Sequence, residues 1–259
     1  MPGAAARALL MILLIILPTT MIPFVSTDGA LVVMVVALFA AAFTIAEYST
    51  ASPSLIEFRD APPFNRIRFA GIFIAVFMMS VILTAEVSSS TFSMVFVYVG
   101  DRIGHLVDFP YSPVRLLLLA VPDSMPPIVT QQLRTAAGLS YVISVASIAL
   151  FVVILRSHAW PRRTQSFNFW INLPTFDPTA GGDVVDRLNR DSNINLVLGF
   201  LLPFIIPAVL KASTTIVSPV AFDDPQTLIW TVAIWAFLPS SLFMRGVALG
   251  RVAQMIHRL

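Results

Sequence analysis

Asp101, His105 and Asp108 recur at i, i+4 and i+7, the spacing that places three side chains on one face of a helix. Together with Glu86 upstream they could form an acid/base cluster, because a histidine between carboxylates can be tuned for proton transfer. A solvated helix face is the simpler expectation for the same pattern.

Other chemistries find less support. The remaining histidines, His158 and His257, also fall outside the apolar blocks, which argues against bis-histidine haem ligation within a membrane. Cysteine is absent, which excludes disulfides, thiolate metal sites, iron–sulfur clusters and cysteine nucleophiles. No HExxH or EF-hand pattern supports a metal site, and Gly181-Gly182 lacks the Gly-Lys-Ser/Thr ending of a phosphate-binding loop. No Gly-x-Ser-x-Gly elbow occurs either. Ser140, Ser144 and Ser147 share an apolar block that has no histidine to activate them. With Ala137 and Gly138 beside them, their small size suits close helix packing. No catalytic residue and no cofactor held by protein ligands is therefore expected; bound lipid, quinone or pigment stay open.

The elements carrying these residues follow from composition. The chain has 259 residues, 57% apolar and 12% charged, with a mean hydropathy of +0.86, whereas a soluble domain carries about 25% charged residues. Sixteen basic and fourteen acidic residues leave a net charge of +2, which gives no cationic field for nucleic acid. The apolar residues cluster in blocks long enough to cross a bilayer, which takes about 20 residues. The expectation is an all-α, polytopic transmembrane bundle forming a single integral membrane domain. Its six spans fall at about 7–25, 29–48, 69–88, 136–155, 194–210 and 227–244. Pieces of the long stretch 89–135 could raise the number of spans to as many as eight. The first block resembles a signal peptide, but Pro18, Pro23 and Phe24 stand where a small-residue cleavage site would be, so an uncleaved helix is expected.

Orientation follows from the cations. With the N-terminus inside, Arg7, Arg59, Arg66, Arg68, Arg156, Arg162, Arg163, Arg187, Arg190, Arg245, Arg251 and Arg258 face the cytoplasm. Only Arg102, Arg115, Arg134 and Lys211 face outward. Both termini are therefore expected in the cytoplasm of a bacterial inner membrane.

The connections are expected to hold interfacial helices. In 91–108, Phe92, Val95, Phe96, Val99, Ile103 and Leu106 recur at helical spacing opposite the Asp101–His105–Asp108 face, as in an amphipathic helix lying in the interface or an overlong third helix protruding from the bilayer. The short run 114–121 is interfacial or re-entrant. The inner loop 156–193 carries Trp160, Arg162 and Arg163, ordinary interface anchors. The tail 245–259 reads as an amphipathic helix with Arg251 and Arg258 on its basic face, suited to anionic lipid or an acidic partner.

Within the spans, Glu47 and Glu86 fall near helix ends and read as wet interfacial carboxylates, and Lys211 can snorkel. The bilayer midplane is left without a charge, which weighs against an ion-coupled transporter. Pro203 and Pro207 remove backbone donors from the fifth span, so the carbonyls of Gly199 and Pro203 are the first places to seek a ligand. The expected function is a non-catalytic subunit, scaffold or assembly factor of a larger membrane complex, with other integral membrane subunits and lipid as partners. The alternative is a permease or a lipid- or quinone-handling protein with an apolar path.

Overall fold

The computed structural model describes residues 2–23, 25–60, 62–85, 90–122, 124–157, 167–179, 181–213 and 222–257. Among them the chain is all-helical. Its elements are α1 (Pro2–Met21), α2 (Thr27–Ser49), α3 (Pro62–Thr84), α4 (Thr91–Val107), α5 (Pro113–Ala120), α6 (Pro127–Ser157), α7 (Phe169–Asn172), α8 (Val184–Ser213) and α9 (Pro225–Ile256). Six of these, α1, α2, α3, α6, α8 and α9, are long and apolar enough to cross a membrane.

Local chemistry sets the helix starts. Ser26 accepts from the Gly29 N–H at 3.0 Å to open α2, and Asp224 accepts from the Thr227 N–H at 2.8 Å to open α9. Each oxygen satisfies a donor that the first helical turn leaves unpaired. Prolines at the starts of α5 and α9 lack the N–H that would be orphaned there. The short turn between α1 and α2 forces an antiparallel hairpin, which the Arg7 guanidinium closes at its other end, 4.3 Å from the centre of the Tyr48 ring. The end of the bundle where α1 begins is called the near end below, and the opposite end the far end.

The long helices α6, α8 and α9 have 31, 30 and 32 residues. At 1.5 Å per residue they run about 45–48 Å, against a hydrocarbon core of about 30 Å, so their ends project or the helices tilt. The remaining elements pack on those ends. A far-end core gathers Met79, Leu117, Leu133, Leu228 and Trp235 from α3, α5, α6 and α9. A near-end core gathers Phe58, Phe64, Phe151, Leu173, Leu188 and Leu249, with Phe58 and Phe64 ring centres 4.6 Å apart and Phe64 and Phe151 5.7 Å apart.

Several helix limits differ from the sequence expectation: α6 starts at Pro127 rather than near residue 136, and α8 at Val184 rather than near residue 194. α3 starts at Pro62 rather than near residue 69, because proline suits a first helical turn as well as a loop. α9 runs unbroken through the expected tail, and Val252 and Ala253 are buried in the near-end core rather than lying on a surface. The run 114–121 forms α5, whose Val114 and Leu117 are fully buried. Next to it, α4 does not simply lie on an interface: its glycines press against α6. A Cβ on Gly138 would stand 2.6 Å from the Gly104 Cα, so the two backbones meet there.

Candidate functional site

The two prolines that open α3 carry Arg68 inside the helix. One turn earlier stands Phe64, with its ring centre 4.9 Å from the guanidinium, and Phe237 of α9 approaches the same guanidinium at 5.5 Å. Both distances allow cation–π attraction. The Arg68 Nε is fully buried and has no hydrogen-bond partner among the described residues. Arg68 lines a cavity of ≈ 10 Å³, the room of about one water, together with Gly71, Ser144, Ser147, Phe237 and Ser240. Ser144 and Ser240 stand near the middle of α6 and α9. Arg68 stands six residues into α3, within the bundle rather than just before the span, and an ionisable group inside a bundle marks a site until its partner is known.

Small residues make this cavity. A Cβ on Gly71 would come within 2.7 Å of the Ser147 Oγ. The Ser147 hydroxyl donates to the Ile143 carbonyl at 2.8 Å, and the Ser240 hydroxyl donates to the Phe237 carbonyl at 2.9 Å. Ser140 lies outside the cavity lining, with its hydroxyl 3.3 Å from the Met79 sulfur.

Towards the near end, Glu57 joins three elements. Arg245 donates from Nε to Oε2 at 2.5 Å and from a terminal nitrogen to Oε1 at 2.7 Å, a bidentate geometry that fixes both groups. Thr175 donates to the same Oε1 at 2.9 Å. Beside it Glu47 is buried rather than wet. It accepts from the backbone N–H groups of Ser54, Leu55 and Ile56 and from the Ser54 hydroxyl, so it clamps the loop that leaves α2. The loop continues to Phe58, fully buried at φ 52°. Its N–H donates to the Asn172 carbonyl at 2.7 Å, while the Asn172 side chain accepts from the Asp60 N–H.

At the far end the structure brings Asp101, His105 and Asp108 together with α6. Asp108, whose side chain is 5% exposed, has Arg134 Nε 2.9 Å from Oδ2 and Arg115 Nε 2.8 Å from Oδ1. The Arg115 contact is an ion pair without hydrogen-bond alignment, because Oδ1 has no hydrogen-bond partner among the described residues. His105 Nδ1 lies 2.9 Å from the Asp101 carbonyl and 3.4 Å from Asp101 Oδ1. Its Nε2 is 3.5 Å from an Arg134 nitrogen. A proton on Nδ1 satisfies both sides of the ring. Gln131 donates to Asp101 Oδ1 at 3.3 Å. With Asp108 held between the guanidinium groups of Arg115 and Arg134, the geometry suits a staple joining α4, α5 and α6.

The other expected positions distribute differently. Glu86, Trp160, Arg162, Arg163 and Arg258 lie outside the described residues. Arg251 reaches Gln254 at 3.4 Å on the last turns of α9. Of the two carbonyls freed by proline, that of Pro203 accepts from the Trp235 indole N–H at 3.1 Å. Gly199 faces the α9 backbone, where an added Cβ would lie 2.6 Å from the Phe243 nitrogen. The kinked segment of α8 is thus closed against α9.

The arginine distribution assigns Arg68 and Arg245 to the cytoplasmic side, each just outside an expected span. For Arg68 the signal was available in the proline pair that can open a helix. For Arg245 none was, because Glu57 is 188 residues away. The spacing Gly246-x-x-x-Gly250, a small-residue pattern for close helix contact, also marked a real approach: Ser192 donates to the Gly246 carbonyl at 2.8 Å. Compared with protein-family models, curated proteins and solved structures, the chain shows no match.

Proposed function

We propose that this protein is a non-catalytic integral membrane subunit, scaffold or assembly factor of a larger bacterial inner-membrane complex. The observation that carries the reading is the Trp235–Pro203 hydrogen bond. A proline-broken helix can offer its free carbonyl to a substrate, whereas here the protein's own side chain occupies it. The far-end Asp108 staple and the near-end Glu57–Arg245 pair act likewise, spending their polarity on helix-to-helix contacts. Such a bundle presents a fixed shape to neighbours. Both termini in the cytoplasm, from the arginine distribution, complete the reading. Purification of the full chain in mild detergent is expected to recover other membrane proteins in constant ratio. Recovery as a folded, partner-free particle contradicts it.

A second reading, a permease, draws on Arg68, the ionisable group beside the interior cavity. It predicts saturable uptake by the protein in liposomes, which the first reading does not.

A further inference from the structure

We infer that the cavity beside Arg68 is a binding site for one monatomic anion of halide size, held between α3, α6 and α9. The first argument is charge. Glu57 is the carboxylate close enough to act on Arg68, yet its two oxygens are taken by Arg245 and Thr175. Two guanidinium groups thus share one carboxylate, and the unbalanced positive charge sits on the one with a buried, unpaired Nε. An uncompensated charge inside a bundle is costly, and an anion is the partner that removes the cost.

The second argument is donor chemistry. Among the described residues Arg68 Nε–H is a donor without an acceptor, and Ser144, Ser147 and Ser240 line the cavity that Arg68 borders. A hydroxyl can rotate from a helix carbonyl towards an anion at little cost, so each can act as a further donor. Water would satisfy Nε but leave the charge unbalanced.

The third argument is size. With ≈ 10 Å³ the cavity admits about one water-sized particle. Gly71, Ala75, Ala233 and Ala236 bring the helix backbones close around it, and a phosphate, a carboxylate ligand or a lipid headgroup has no room. The site is independent of the subunit reading above, since an anion can serve either as a structural counter-ion or on a path.

The test uses the purified full chain in detergent, with sodium chloride or bromide compared with sodium gluconate at equal ionic strength. Thermal unfolding should show a saturable halide-dependent rise that gluconate does not give, and crystals grown in bromide should show anomalous scattering at the cavity. Arg68→Gln is expected to abolish the halide response, and Ser144→Ala to weaken apparent halide affinity at least ~10-fold. Arg66→Gln, at an exposed position two residues away, should leave it unchanged. Should Arg68→Gln fail to fold, the Ser144→Ala titration decides alone. Equal unfolding of the wild type in halide and gluconate, an unaltered affinity in Ser144→Ala, or water alone at the site overturns the proposal.

Discussion

The indole N–H of Trp235 on α9 donates to the carbonyl of Pro203 on α8 at 3.1 Å, the carbonyl that Pro207 deprives of its helical donor. Trp235→Phe keeps a ring in the far-end core but removes this donor together with the volume of the indole's second ring. The carbonyl is then left unpaired in an apolar surrounding, at an expected cost of about 1–3 kcal/mol. Thermal unfolding in detergent measures it, and a variant as stable as the wild type would remove the hydrogen bond from the account.

The contact between α8 and α9 depends on missing side chains. A Cβ on Gly199 would lie 2.6 Å from the Phe243 nitrogen, and one on Gly246 would lie 2.8 Å from the Ser192 carbonyl oxygen. These neighbours are backbone, so the helices must separate. Gly199→Ala and Gly246→Ala should each destabilise by about 1–3 kcal/mol. Gly181→Ala, with nothing within 4 Å, should change stability little. Equal melting of all three variants would count against the close approach.

Glu57 and Arg245 are mostly buried partners, 12% and 26% exposed. Removing one leaves the other charge without its partner, so Glu57→Gln should cost about 3–5 kcal/mol. Replacing both by Leu and Met should recover most of that loss, because neither charge then needs a counterpart. A double-mutant cycle on unfolding free energies tests this; additive losses would show that the pair is not coupled.

Asp108 should matter more than Asp101. Asp108→Asn weakens two contacts at once and is expected to cost about 1–3 kcal/mol, tempered by the exposure of Arg115. Asp101→Asn affects an exposed pair and should cost under ~1 kcal/mol. Limited proteolysis of the α4–α5 segment reads out the same difference, with faster cleavage in Asp108→Asn. Equal protection of both variants contradicts the staple.

The bundle was legible because apolar blocks of membrane length leave few alternatives, and Asp101, His105 and Asp108 declared a shared face by spacing alone. The Pro203 carbonyl was legible as well, since proline removes a donor wherever it stands. Its replacement was not: Trp235 lies in another apolar block, and only the crossing of α8 and α9 brings it near. Arg68 reads as lying just before the third span because Pro62 and Pro63 read as loop residues, whereas they open α3 and include the arginine in it. Glu47 looked wet because sequence does not reveal that the following loop folds back and offers it three N–H groups. Gly246 and Gly250 carried a readable spacing whose partner, Ser192, lies across the loop before α9.

In the function proposed above, the bundle's interior serves the fold and the protein acts through its neighbours. Native mass spectrometry of the chain released directly from membrane vesicles tests it most directly. A discrete species that exceeds the 28.3 kDa chain by the mass of one or more membrane proteins in constant ratio is expected. A folded chain of 28.3 kDa carrying only lipid would contradict it.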